Sequence, residues 1–356
     1  KVKKPKTKGT KADSVEKVTV ADLLPTLEKT DFKLDEQPYS SLFKIYQKEF
    51  LEISVSAGLI HADSLALAGD GTPVVTSHRE RKKRICNCKE NGIHDCNCDR
   101  YFSQPDCDIG WDSSRDCYYH GYDLYMLVDS QSDLPVFPHF SCASKHDSHG
   151  FLHAFFRMKS FLPEYSVSKV LLDAAHDAMP YYQYFKRKNI TPFIDLNGKG
   201  GRPPVYKNDF TIDKDGVPIC PSGYRMRRDG IEVAKGRMKF KCPKISHAGG
   251  CISCTCETPC SNAKYGRTVH LVLKDNPRLF NNPPRSSKEW KLEYNARTSA
   301  ERSNKREKLD FKLEDGRHRS TKMWYCRLYH ILMLQHLDAW DLPPESTLKK
   351  MILDAA

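Results

Sequence analysis

At 356 residues the chain can bury a large core, either as one domain with an insertion or as two to three domains. Its formal net charge of +12 favours a polyanionic partner, nucleic acid before an anionic membrane surface. No apolar run approaches the ~18 residues that span a bilayer and no secretory signal is present, which argues against a membrane protein or a disulfide-stapled secreted domain.

In chain order, Lys1 to Lys11 is basic and poor in apolar residues, so it is expected to be disordered. Because the chain opens on Lys1, a preceding segment belongs among the expectations. Apolar residues from Leu42 to Ile60 predict a packed helix, and residues 1–58 form a basic tail with a helical region. Leu65 to Val75 predicts a buried strand interrupted by one acid, Asp70. His78-Arg-Glu-Arg-Lys-Lys-Arg84 is a dense basic run, with Arg81, Lys82, Lys83 and Arg84 as candidate phosphate contacts.

Tyr122 to Val128 and Pro135 to Phe140 read as strands joined by a polar turn. A helix over Gly150 to Phe161 follows, then a strand from Val167 ending in Asp173, a helix over Pro180 to Lys188 and a short strand over Thr191 to Leu196. Three strands in hairpin order followed by alternating helix and strand predict an α/β mixed sheet over residues 59–196. Residues 197–285, rich in Gly, Pro, Cys and cations, read as an insertion with its own small sheet. Regular structure resumes over 286–342, with a helix around Tyr294 to Lys308 and a packed apolar helix from Met323 to Leu334. On that last helix His330 and His336 read as packing residues.

Fourteen cysteines fall mostly into two clusters. Six lie between Cys86 and Cys117, with Cys86, Cys88, Cys96 and Cys98 as candidate ligands, and six between Cys220 and Cys260, with Cys242, Cys251, Cys254, Cys256 and Cys260 as candidates. Short Cys-x-Cys and Cys-x2-Cys pairs let one turn supply two thiolates, so each cluster is a candidate structural zinc site, the alternative being reduced thiols packed as small apolar groups.

Asp70 sits inside an apolar strand, where a carboxylate is costly without a partner or metal. Asp173 ends a later strand, the edge where open α/β sheets place their sites. Tyr294, Arg297, Glu301 and Lys308 stand at helical steps of three, four and seven, within a wedge of roughly 60° if the helix is continuous. Alone, that segment reads as a salt-bridged surface helix. An Asp in the first strand, an Asp after the fourth and a Glu on a later helix give the ordering of the ribonuclease-H-like nucleotidyl-transfer fold.

On these residues the chain resembles the DDE transposases of bacterial insertion sequences, in the group with a Tyr-x2-Arg-x3-Glu-x6-Lys signature. Leu67-Ala-Gly-Asp70-Gly-Thr72 resembles the first-aspartate segment and Leu172-Asp173-Ala-Ala-His-Asp-Ala178 the second. The resemblance implies that Asp70, Asp173 and Glu301 hold two Mg²⁺ or Mn²⁺ ions, oxygen donors suiting hard cations. It implies cleavage of transposon ends and attack of the freed 3′-hydroxyl on target DNA. Arg297 and Lys308 would neutralise phosphates and Tyr294 would contact a phosphate or stack on a base. Double-stranded DNA (terminal inverted repeats and target), a homodimer in the DNA complex and a bacterial cytoplasmic location are implied with it, as is a mainly β, DNA-contacting character for the 197–285 insertion, which its basic run Arg225 to Lys241 would fit. A nuclease or resolvase of the same fold, and a zinc-stabilised DNA-binding protein descended from a transposase, remain alternatives. Asp177, four residues beyond Asp173, competes for the second ligand; the resemblance favours Asp173 and leaves Asp177 as a helix cap.

Overall fold

The structure, a computed structural model, describes residues 18–341 except 77–82, 85, 99, 102–103, 105, 199–209, 247–252, 258 and 264. Helix α1 (Val20–Lys29) is followed by α2 (Ser40–Tyr46), a π turn (Gln47–Leu51) and α3 (Glu52–Ser56). Strand β1 (Leu65–Val75) leads to the short pair β2 (Lys83–Arg84) and β3 (Arg100–Tyr101), then β4 (Asp108–Asp112), β5 (Cys117–Asp129) and β6 (Pro135–Cys142). Next come α4 (Asp147–Phe161), β7 (Val167–Leu172), α5 (Met179–Arg187) and β8 (Thr191–Ile194). The strands β9 (Thr211–Ile212), β10 (Pro218–Ile219), β11 (Arg227–Glu232), β12 (Arg237–Lys241), β13 (Ile245–Ser246), β14 (Ser253–Cys254) and β15 (Thr268–Val272) precede α6 (Lys288–Asn295), α7 (Thr298–Lys305) and α8 (Thr321–Asp341).

The chain divides into two compact units, Lys1–Leu171 with Arg297–Ala356, and Leu172–Ala296. In the first, β5 is the spine of a mixed sheet. It runs antiparallel to β1 along one edge, and along the other it pairs with β4 through Cys117–Gly121 and with β6 from Tyr122 onward. Strand β1 pairs in parallel with β7, Leu67 opposite Val170 and Ala68 opposite Leu171. Eight successive residues of β5, Tyr122 to Asp129, are buried, as a strand covered on both faces requires. The close approach of β1 fixes Gly121 in that spine, since a Cβ there would stand 1.9 Å from the Val74 carbonyl oxygen.

Alternation along β5 assigns the faces. Tyr125 meets Phe151 of α4, ring centroids 5.9 Å apart, whereas Tyr122 meets Trp324 of α8 at 6.2 Å. Helix α8 earns its place by spacing: Trp324, Tyr325, Leu328, Tyr329 and Leu332 form a buried stripe. The Tyr325 hydroxyl accepts a hydrogen bond from the Phe140 amide at 2.8 Å. His336 is buried and hydrogen-bonded to Ser54 Oγ, Tyr46 Oη and the Pro135 carbonyl; burial pushes its pKa down to about 4, so it packs as a neutral ring. His330 is exposed, bonded to the Cys326 carbonyl, contrary to its expected place in the core.

The second unit has its own core of Phe210, Ile212, Val217, Met226, Met238, Phe240, Val269 and Leu271 around the antiparallel sheet β11-β12-β15. Buried Arg285 donates to the carbonyls of Ile194 and Arg278 and to the Tyr182 hydroxyl, and lies over the Trp290 ring. One guanidinium thereby ties the end of the 197–285 segment back to α5, β8 and α6.

The α/β expectation holds: a mixed sheet flanked by helices, loosely ribonuclease-H-like, with small β sheets in the Cys-rich segment. Two helices differ from expectation. Leu42 to Ile60 is broken by the π turn and ends at Ser56. Tyr294 to Lys308 is not one helix: α6 stops at Asn295, α7 starts at Thr298, and Arg306–Asp310 is a π turn. The π turn coincides with Glu307 turning inward, fully buried, to Ser303 and Gln335. Among the described residues no helix is long and apolar enough to cross a membrane.

Candidate active site and cysteine cluster

Asp70 stands half-buried on β1, opposite Met126 of β5, with Thr72 opposite Leu124. Alternation puts it on the face covered by α8, and α7 packs against both β1 and β5. Helix α7 is held beside α8 by Ser303, which donates to Gln335 Oε1 at 3.2 Å. Asp70 and the helix bearing Glu301 are thus neighbours by packing.

Glu301 accepts a hydrogen bond from Arg297 Nη2 at 2.7 Å; its side chain is 48% exposed, that of Arg297 18%. Lys308 is turned towards the first strand. Its Nζ donates to the Pro73 carbonyl at 2.7 Å and pairs with Glu314 at 3.2 Å, while Glu314 accepts from the Val75 amide at 3.0 Å. Arg297 and Lys308 therefore serve protein partners as well as being candidates for DNA. Tyr294, on α6 in the second unit, stacks on Trp290 with centroids 4.8 Å apart, a packing role that sequence spacing did not foresee.

The cap expected of Asp177 is made by Asp173. Asp173 is the cap: directly after β7, it accepts from the Ala175 amide at 3.1 Å and contacts His176 Nδ1 at 2.6 Å, opening the 3₁₀ turn Ala174–His176. Asp177, its side chain fully buried, is gripped by Arg278 through Nε and Nη2, accepts from the Tyr182 hydroxyl at 3.0 Å and from the Asn197 amide at 2.7 Å. Those bonds saturate the Asp177 carboxylate with protein partners, whereas the Asp173 side chain is 37% exposed.

Two acids not foreseen from sequence, Asp123 and Asp147, meet on the α4 face of the sheet, beside Gly71 and across the sheet from Asp70. Asp123 on β5 is 6% exposed, and burial first, then Asp147 and Asp70, hold its carboxyl well above the usual range. Asp123 and Asp147 line a cleft of about 300 Å³ with Gly71, Asp112 and Lys145. An acid inside the apolar run Tyr122 to Val128 is the same cue that singled out Asp70.

Of the basic run, Arg81 and Lys82 lie outside the described residues; Lys83 and Arg84 form β2, paired with β3. The cations of the β11–β12 hairpin carry counter-ions of their own: Arg225 pairs with Asp213 and Asp215, Arg237 with Glu232, and Lys239 and Lys241 with Asp229. Such surface pairs are weak.

Cys86, Cys88, Cys96 and Cys98 converge, with all four sulfurs within 4.8 Å of one another. The Cys86–Cys96 and Cys88–Cys98 separations are 3.4 and 3.6 Å. Hydrogen bonds from the Cys98 amide and then the Cys86 thiol bring the Cys96 thiol down to about 7. Of the second cluster, Cys251 lies outside the described residues and the Cys254 side chain is not described; Cys242 is buried and Cys256 and Cys260 are half-buried. Against known proteins, no family model matches the chain and no curated protein matches it.

Proposed function

We propose that the protein is a DDE transposase: a metal-dependent DNA nucleotidyl transferase that cleaves at transposon ends and joins them to target DNA. The observation that carries the reading is one of register. Ala68 of β1 and Leu171 of β7 pair in parallel, and Asp70 and Asp173 each follow two residues later in sequence. Glu301 comes from α7, which packs on β1. Asp173 enters by this position in the chain rather than by a distance.

The donor set fits hard divalent cations. Asp70 is a half-buried carboxylate on a strand and Glu301 a half-exposed one kept beside a guanidinium, both offering oxygen and neither a thiolate. Asp70, Asp173 and Glu301 would hold Mg²⁺ or Mn²⁺, whose chemistry when bound is to stabilise the attacking and leaving oxygens of an in-line phosphoryl displacement. Arg297 orients Glu301 and sets a positive charge beside it. Lys308 anchors β1 just beyond Asp70 and presents a second cation to a phosphate. The partner is double-stranded DNA, with a homodimer pairing two transposon ends in the bacterial cytoplasm.

The test is a supercoiled plasmid carrying the DNA that flanks this coding sequence, incubated with the protein and Mg²⁺ or Mn²⁺. Cleavage at the element boundary with joined products is expected, lost in Asp70→Asn, Asp173→Asn and Glu301→Gln. Nicking without joined product would move the reading to a nuclease of the same fold. Unchanged cleavage in all three variants would remove the metal-site assignment.

A further inference from the structure

We propose that Cys86, Cys88, Cys96 and Cys98 bind one structural Zn²⁺, which pins the β2–β3 hairpin as a metal-stapled arm of the first unit. The ladder register is the first argument. Lys83 pairs with Tyr101 and Arg84 with Arg100. That short ladder ends just before Cys86 and begins again just after Cys98, and the chain between turns back on itself through Ile93 and the Cys88 carbonyl, so the two Cys-x-Cys pairs are brought face to face.

Convergence is the second. A tetrahedral centre with Zn–S of ~2.3 Å sets its sulfurs about 3.8 Å apart. The four sulfurs lie within 4.8 Å of one another, with Cys86–Cys96 at 3.4 Å and Cys88–Cys98 at 3.6 Å, close to that tetrahedral spacing. Two disulfides would bring sulfurs together two by two; gathering all four about one point is what a metal requires. Four cysteines leave no open position, so the site is structural rather than catalytic.

The third argument is need. The hairpin has two residue pairs of regular ladder, and an isolated two-stranded ribbon is marginal in water. Its tip is a tight turn, with the Ile93 amide donating to the Cys88 carbonyl at 2.7 Å and Gly92 at φ +76°. A cross-link at the cysteines supplies what a core would otherwise supply. On binding, each thiol gives its proton to solvent, leaving a net charge of −2 on the metal and four thiolates.

The experiment uses the full chain, purified reduced from zinc-containing medium. Elemental analysis of the parent and of Cys88→Ser/Cys96→Ser should show a loss of one zinc per chain, while Cys242→Ser keeps that equivalent. Equal zinc in parent and double variant overturns the proposal. Should the double variant fail to fold, differential alkylation of the parent decides instead. The four thiols should be protected from alkylation until a chelator is added, and Co²⁺ taken up afterwards should give the visible bands of a tetrahedral thiolate site. Thiols that react equally with and without chelator, or four cysteines recovered as two disulfides, overturn it as well. Neither readout depends on DNA cleavage.

Discussion

Arg297 holds Glu301 one helical turn away through a single 2.7 Å contact, the guanidinium mostly buried and the carboxylate half exposed. An ion pair with an exposed partner contributes less than about 1 kcal/mol to stability, so its importance lies in aiming the carboxylate. Arg297→Ala should leave the thermal midpoint within a few degrees of the parent and lower DNA cleavage by at least ~10-fold. Arg297→Lys should recover part of that loss, since an ammonium lacks the planar fork. Parallel melts and plasmid-cleavage rates check both.

Glu307 gives a pH signature independent of DNA. It is fully buried, and desolvation raises its pKa to about 8. Below the ordinary carboxyl pKa it is protonated folded and unfolded alike, with no penalty. As pH rises towards 8 the unfolded chain releases the proton while the folded one keeps it, so stability falls across that window. Glu307→Gln should remove this slope and raise stability at about pH 8 relative to the parent. Urea unfolding at about pH 5 and pH 8 measures it, and parallel curves for parent and variant would count against a buried neutral carboxyl.

Histidines shielded from solvent, His336 fully and His153 in part, act on the acid side. His336 and His153 are both pushed down to about 4 by burial, so the folded state keeps them neutral while the unfolded state protonates below about 6.5. Stability should therefore fall as pH drops from about 6.5 to about 4. His336→Gln should flatten the part of that limb due to His336, at the expense of its bonds to Ser54 and Tyr46. Thermal melts across the window check the slope.

Asp173 and Asp177 should separate by experiment. Arg278→Ala leaves the buried Asp177 carboxylate without its guanidinium and should cost about 3–5 kcal/mol, visible as early loss of the second unit's structure. Asp173→Asn keeps the turn cap, because an amide oxygen still accepts from Ala175, so it should shift stability by less than about 1 kcal/mol and act on cleavage alone.

Gly121→Ala should be among the most damaging single changes. The added methyl meets the backbone oxygen of Val74, not a side chain that can swing away, so the β1–β5 ladder must open locally. A loss above about 2 kcal/mol, or no soluble protein, is expected. A variant as stable as the parent would show that β5 can shift relative to β1.

The main strands were legible because their hydrophobic runs are long: β1, β5, β6 and β7 follow the apolar segments, and Asp70 stood out as a charge within one of them. Glu301 was legible by helical spacing, but its one-face picture assumed a regular helix. No Gly or Pro marks the break at Ala296 and Arg297, and the π turn after Lys305 accompanies a buried Glu307 whose partner, Gln335, lies 28 residues on. The occupation of Asp177 was hidden for the same reason, since Arg278 lies 101 residues beyond it. Local pattern names the candidates; distant partners decide which carboxylate is occupied.

The β2–β3 arm leaves from one side of β5 and rejoins on the other. Thr76 donates to His120 on the β1 side, and Asp108 pairs with Gly121 on the β4 side. Strands spaced ~4.8 Å on either side of β5 put departure and return about 10 Å apart, a gap that three or four extended residues span. The arm is accordingly an excursion outside the central ladder, tied to α8 at its base, where Trp324 donates to Gln104 and Thr321 to Asp106, so metal gained or lost at the cysteines would be felt in the arm before any rung of the sheet.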